Sequence, residues 1–448
     1  MSSSLIGRLS RISSPVSTLF PALVLASAFV TGPLMAEGVG YLSVATDVSE
    51  VWSEGSELAL EPIWERPLGP SYSSPVAADG KVFVTFSRGE LDVLAAFRQE
   101  DGDELWSVEL GPRYRGHDGS EDGPLSTPWV TAERVVAVSA GGRMVAVSPE
   151  DGSELWSREL MDEAVELPFY GFASSPRQVG EHLVIQTPGK TGARLLNAAD
   201  GAEVIRFNDD GMTYQSPWVT SLAGQEQILV TGNRRLEGWS VDGKTRLWSF
   251  EHKEKGAHES AQALPVGDDR LLLVLDQESV LLRVQKGEAG FEVEELWRAG
   301  VFKSTDARPV VHGDLLYGFS GNIFSAVKVA DGSLAWRSRD LSGSNLGAVP
   351  ERLVQLTRKG ELVVAAPTAD GLGEQVRLKV FERGDYGNPA VDGDLIFVRN
   401  QELLAALRVA GAAPAAGEAA GDEPASDENG ALEEAGGASE GPDGARVE

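Results

Sequence analysis

Apolar and polar residues alternate along this chain in short runs, and the runs recur in a fixed order. Lys81-Val82-Phe83-Val84 has the period of two expected of a half-buried strand. It follows an opening made of a Ser-Pro-like step and apolar residues, Ser73-Ser74-Pro75-Val76, repeated later as Ser126-Thr127-Pro128-Trp129-Val130. A small-residue strand comes next, Leu94-Ala95-Ala96-Phe97 or Met144-Val145-Ala146-Val147. An Asp-Gly pair then turns the chain into a strand bearing a tryptophan, because Gly tolerates the positive φ that such a hairpin needs. The clear copies are Asp101-Gly102 before Trp106, Asp151-Gly152 before Trp156 and Asp331-Gly332 before Trp336. Looser copies end at Trp248 and Trp297, and Ile205 takes the slot after Asp200-Gly201.

From Trp64 to Trp336 the marks step at about 45 residues, a period that signals units unable to bury their apolar faces alone. Four short strands per unit at this period predict an all-β fold of propeller blades. The openings at Pro75, Pro128, Pro176, Pro217, Pro265, Pro309, Pro350 and Pro389 count eight units. The last unit runs out at Leu404-Ala405-Ala406-Leu407-Arg408-Val409 without a tryptophan strand, while Ile63-Trp64-Glu65-Arg66-Pro67 is such a strand with no unit of its own. Joining the two predicts an eight-bladed β-propeller closed through both chain ends, with no long sheet edge exposed. A seven-bladed ring is the alternative, because units five and seven are degenerate.

The repeat Ala-x-x-x-x-Asp-Gly-x-x-x-Trp, as in Ala146…Asp151-Gly152…Trp156 and Ala326…Asp331-Gly332…Trp336, resembles the pyrroloquinoline-quinone-type (PQQ-like) repeat. Eight such blades behind an export signal are similar to the BamB-like scaffolds of outer-membrane β-barrel assembly. The resemblance spans roughly residues 62–409 and implies that Trp64, Trp106, Trp156, Trp248, Trp297 and Trp336 pack between blades. It implies little about activity, since quinoprotein dehydrogenases share the repeat. The chain has no cysteine. It therefore lacks both the acylated Cys usual in the assembly scaffolds and the vicinal disulfide typical of the quinone enzymes, and no Cys-based zinc site or thiol nucleophile is available.

Beyond the ring, Arg8 and Arg11 precede the apolar run 19–30, which ends at Leu34-Met35-Ala36. This reads as a cleavable export signal over residues 1–36, placing the protein in the periplasm or outside the cell; an uncleaved anchor is the alternative. Residues 37–61 form an N-terminal extension. Residues 410–448 are almost all Ala, Gly, Glu, Asp, Ser and Pro, a composition that predicts an acidic disordered tail. The net charge of −29 argues against nucleic-acid partners. Other envelope proteins or extended peptides are the expected partners, of a monomer with no further membrane span.

Two motif matches carry no chemistry. Gly238-Trp239-Ser240-Val241-Asp242-Gly243-Lys244-Thr245 fits a phosphate-loop string but spans a predicted hairpin, where no helix N-terminus would face a phosphate. Gly437-Ala438-Ser439-Glu440-Gly441 fits a nucleophile elbow but falls in the tail. The loops entering each inner strand converge on one mouth of the central channel. They supply the candidate ligand-facing residues Arg113, His117, Tyr170, Tyr214, His258, Glu259, Thr305, Asn345, Tyr386 and Asn388. Aromatics mixed with cations and amides suit a small polar or ring-shaped ligand or a peptide strand, so a glycan- or peptide-binding module is an alternative to a scaffold. No catalytic residue and no metal site is expected, and the reading leans away from an enzyme. A calcium-bound quinone would draw on Glu259, Asp306 and Asn345 only if a divergent quinoprotein reading holds.

Overall fold

The computed structural model describes residue 52 and residues 58–411, apart from 118–119, 164, 190–191, 212–213, 253–260, 304–307, 344 and 385–386. The expected export signal, most of the extension and the expected tail beyond Gly411 lie outside the described residues. Thirty-two strands form eight separate four-stranded antiparallel sheets, one per repeat, arranged as an eight-bladed β-propeller. Blades 1 to 7 cover residues 76–112, 129–159, 177–207, 218–251, 262–299, 310–338 and 347–379. Blade 8 combines Ala390–Asp392, Leu395–Arg399 and Leu403–Gly411 with the N-terminal strand Leu58–Pro67. The closing pair is antiparallel, with Leu58 opposite Gly411 and Trp64 opposite Ala406.

Burial explains the apolar pattern. The second strand of blade 1, Lys81–Arg88, is buried on both faces and not on one as the alternation suggested. Val82 and Val84 pack toward Ala390 and Phe397 of blade 8, whereas Phe83 packs toward Val130 and Val135 of blade 2. Stacked blades cover both sides of every middle strand. The outer strands, such as Glu104–Pro112, keep an exposed face. Two of the eight proline marks are displaced: Pro265 ends its inner strand, and Pro350 sits in the turn after Gly347–Val349. The count survives because each displaced proline still lies in the first hairpin of its blade.

The Asp-Gly and Trp parts of the repeat meet across blades. Trp64 Nε1 donates to the carbonyl of Gln99 at 2.8 Å, Trp106 to Pro149 at 3.1 Å, and Trp156 to Ala198 at 3.0 Å. Trp297 donates to Val329 at 2.9 Å and Trp336 to Thr368 at 3.1 Å. In each pair the acceptor belongs to the hairpin of the following blade. The hairpin glycine lies against the indole: a Cβ on Gly102, Gly152 or Gly201 would stand 2.6–2.7 Å from the ring of Trp64, Trp106 or Trp156. Trp248 differs. It packs toward blade 5 but donates to Gln227 Oε1 of its own blade at 2.7 Å, because the long hairpin of blade 5 replaces the Asp-Gly turn.

Blade 7 has no tryptophan in its outer strand, Leu372–Lys379. Trp52 from the extension fills the seam between blades 7 and 8 instead, 1% exposed, with Nε1 donating to the Gly393 carbonyl at 2.8 Å. Arg399, also 1% exposed, donates to the carbonyls of Thr85 at 3.1 Å and Gly69 at 2.9 Å, locking blade 8 to blade 1.

Candidate binding face at the channel mouth

The residue before the opening proline of blades 1, 2, 3 and 8 has a role the repeat pattern did not reveal. A buried backbone N–H needs an acceptor, and here it finds a side chain of the next blade. Ser74 N–H donates to Thr127 Oγ1 at 3.0 Å, Thr127 N–H to Ser175 Oγ at 3.0 Å, and Ser175 N–H to Ser216 Oγ at 2.9 Å. Across the closure Asn388 N–H donates to Ser74 Oγ at 2.9 Å, and its Oδ1 accepts from Leu346 N–H at 3.2 Å. This relay ties together the entries to blades 7, 8, 1, 2, 3 and 4 at the base of the mouth loops.

On that frame the loops entering blades 2, 3 and 4 place five rings in a continuous arc. Tyr114 and His117 meet edge to face with centroids 5.9 Å apart, and His117 lies 5.1 Å from Phe169. Phe169 meets Tyr170 at 5.0 Å, and Tyr170 meets Tyr214 at 5.8 Å. Hydrogen bonds between loops set the spacing: Tyr114 donates its hydroxyl to the Phe169 carbonyl at 3.0 Å, and Tyr170 N–H donates to the Tyr214 hydroxyl at 3.1 Å. Phe169 is 55% exposed, and Leu167 beside it is also exposed. Burial pushes the Tyr114 phenol up to about 12, so it remains a donor at physiological pH.

A buried acid and a half-buried one anchor the first loop. Asp92 accepts from the Ser87 hydroxyl at 2.5 Å and from Tyr114 N–H at 3.1 Å, and burial raises its pKa despite these bonds. Asp122 pairs with Arg113 at 2.5 Å and Arg115 at 3.2 Å, and accepts from Gly116 N–H at 2.8 Å. Arg113 is thus committed to its own loop.

Of the ten candidate residues, the structure brings together His117, Tyr170 and Tyr214, with Arg113 below them. Asn345 is buried and its Oδ1 accepts from Leu356 N–H at 2.9 Å, so it caps blade 7. Asn388 belongs to the relay. His258, Glu259, Thr305 and Tyr386 lie outside the described residues, as does Asp306. Tyr114, Phe169 and Asp122 were missed as individual site residues, although their loops were singled out. A ring in three successive loops was the available sign.

The inner collar of the channel carries a second cluster that sequence reading passed over. The Arg177 guanidinium lies 5.1 Å from the Trp129 ring and 5.4 Å from that of Trp218, and Arg308 lies 5.2 Å from Trp218. Trp129 and Arg177 each follow an opening proline directly, so equivalent positions of neighbouring blades face one another. Among the described residues no group of three His, Asp or Glu side chains could hold a metal ion. Of the three residues that a calcium-bound quinone would draw on, only Asn345 lies among the described residues, and its amide oxygen accepts from Leu356 N–H. The phosphate-loop string runs from the third strand of blade 4 through a turn into Arg246–Glu251, a hairpin with no helix.

The profile of the family described as outer membrane protein assembly factor BamB matches this chain over residues 39–206 and 92–420. The chain belongs to this family. Within it, BamB of Shewanella oneidensis is 28% identical over 136 residues, a stretch that spans 30% of this chain and only 31% of that protein. The crystal structure of BamB from Moraxella catarrhalis has a TM-score of 0.55 at 14% identity, covering 78% of this chain and 98% of that one. A quinohemoprotein alcohol dehydrogenase of Pseudomonas putida HK5 has a TM-score of 0.59 at 12% identity, covering 86% of this chain and 80% of its own. Likeness at such identity carries the fold alone, and the fold serves both assembly factors and dehydrogenases. No helix among the described residues is long and apolar enough to cross a membrane.

Proposed function

We propose that this chain is an exported, non-catalytic interaction scaffold that binds other envelope proteins during outer-membrane protein assembly. The aromatic arc from Tyr114 to Tyr214 is the observation that carries the reading. Large rigid rings held by cross-loop hydrogen bonds, with Phe169 standing out into solvent, give contact area at little entropic cost. Glu90, Glu121 and Asp122 lie around the first of these loops in a chain of net charge −29, which suits a partner segment combining apolar and basic residues. The family match supports the assembly role. A scaffold also explains a mouth built from rings and committed ion pairs, with no nucleophile, base and orienting group in hydrogen-bond contact among the described residues.

The test uses photo-crosslinking from position 169 in the exported compartment, followed by binding of the captured protein to a Phe169→Ala, Tyr170→Ala variant. Both cross-loop hydrogen bonds use the backbone of these two residues, so the variant keeps them and melts as the parent does. Binding is expected to weaken by about 2 kcal/mol or more, the range of aromatic anchors. Undiminished binding refutes the arc as the contact face. Calcium-dependent dye reduction by quinone-loaded protein refutes the non-catalytic role.

A further inference from the structure

We propose that the cleft between blades 4 and 5 is a second recognition site, taking a basic side chain, arginine or lysine, of a polypeptide partner. The cleft encloses about 930 Å³. Arg234, Arg235, Glu251 and His252 of blade 4 form one wall, and residues 275–278 with Arg298 of blade 5 form the other. It stands apart from the aromatic arc but is tied to the same loop system, since Gln215 Nε2 donates to Asn233 Oδ1 at 3.0 Å and Asn233 N–H to the Gly211 carbonyl at 2.8 Å.

His252 points to a ligand. Its side chain lines the cleft at only 5% exposure, yet among the described residues neither ring nitrogen makes a well-formed hydrogen bond, the backbone of Arg235 and Gly232 offering only weak contacts. A buried polar group without a well-formed hydrogen bond carries a desolvation cost that a bound guest would relieve. Burial lowers the pKa of the imidazole, against the pull of Asp210 and of the backbone at Arg235 and Gly232 and with the push of Arg298, so the ring is neutral and offers one lone pair and one N–H.

The charges of the walls select the guest. Each arginine already holds a carboxylate: Arg234 pairs with Asp210 at 2.8 Å, Arg298 with Glu278 and with Glu295 at 2.8 Å, and Arg235 with Asp209. Glu251 and Asp276 have no cation paired with them among the described residues. An incoming guanidinium or ammonium supplies several N–H donors, enough for both carboxylates and the imidazole lone pair. An anion would meet two unpaired carboxylates and cations already engaged.

The experiment follows the imidazole resonances of the full-length ¹⁵N-labelled protein, which has five histidines, with His252 assigned through a His252→Gln variant. The probes are acetyl-Gly-Arg-Gly-amide and acetyl-Gly-Glu-Gly-amide. A saturable shift of the His252 signals with the arginine peptide and none with the glutamate peptide is expected. Glu251→Gln, Asp276→Asn should weaken it about tenfold, while Phe169→Ala, Tyr170→Ala leaves it intact, which separates this site from the arc. No His252 response up to about 20 mM arginine peptide, or an equal response to the glutamate peptide, overturns the proposal. The wild-type titration with the two peptides decides the matter even if the carboxylate variant does not fold.

Discussion

Adding one methyl group to Gly201 tests the seam between blades 2 and 3. Gly201 has φ +70°, and a Cβ there would stand 2.6 Å from the indole of Trp156. Gly80 in blade 1 has the same φ of +70°, but a Cβ on it meets nothing within 4 Å. Gly80→Ala therefore carries the left-handed backbone penalty alone, about 1–2 kcal/mol. Gly201→Ala carries that penalty plus overpacking against a buried ring, about 1–3 kcal/mol more. Because the backbone cost cancels between the variants, their difference isolates the contact of indole and hairpin. Ten tryptophans blur a fluorescence transition, so native-state hydrogen exchange at the strands flanking the seam is the better assay. Amides there should exchange about 5- to 150-fold faster in Gly201→Ala than in Gly80→Ala, as 1–3 kcal/mol implies. A Trp156→Leu background should remove most of the excess, since the two changes share one contact. Equal exchange in the two glycine variants would refute the claim that the repeat works by locking each tryptophan onto the next blade.

Three further outcomes follow from the geometry. Trp52→Ala should empty the seam between blades 7 and 8 at a cost of roughly 3–5 kcal/mol, seen as lost exchange protection in those two blades before the others; uniform loss around the ring would contradict a local plug. Deleting residues 58–67 should expose the edge strand Leu403–Gly411 and abolish soluble monomer in size-exclusion chromatography, whereas a monomer of unchanged melting temperature would mean that the ring closes otherwise. His252 has its pKa lowered in the fold from 6.5, so the unfolded chain takes up its proton first and stability present above about pH 6.5 is lost as pH falls toward the folded value. His252→Gln should flatten that part of the stability–pH curve, and an unaltered curve would show that the imidazole is not the buried neutral base described here.

The architecture was legible in the chain. Its period, its Asp-Gly turns and the unmatched strand around Trp64 specified four-stranded units, eight of them and their closure, because hairpin geometry and alternation are local properties of the chain. The tertiary structure alone decided what lies between units. Gly201 and Trp156 occur in different repeats, and only blade stacking shows that the glycine leaves room for the indole. Trp52 carries no repeat signature, and its place in the seam follows from the space that blade 7 leaves by lacking a tryptophan. At the mouth, aromatic residues in successive loops were legible as a group. Which rings touch, and the commitment of Arg113 to Asp122 and of Asn345 to Leu356, depended on loop conformations that no local pattern encodes. The imidazole of His252 was beyond sequence reading for the same reason: burial and the want of a well-formed hydrogen bond are properties of the packed neighbourhood, assembled from residues far apart in the chain.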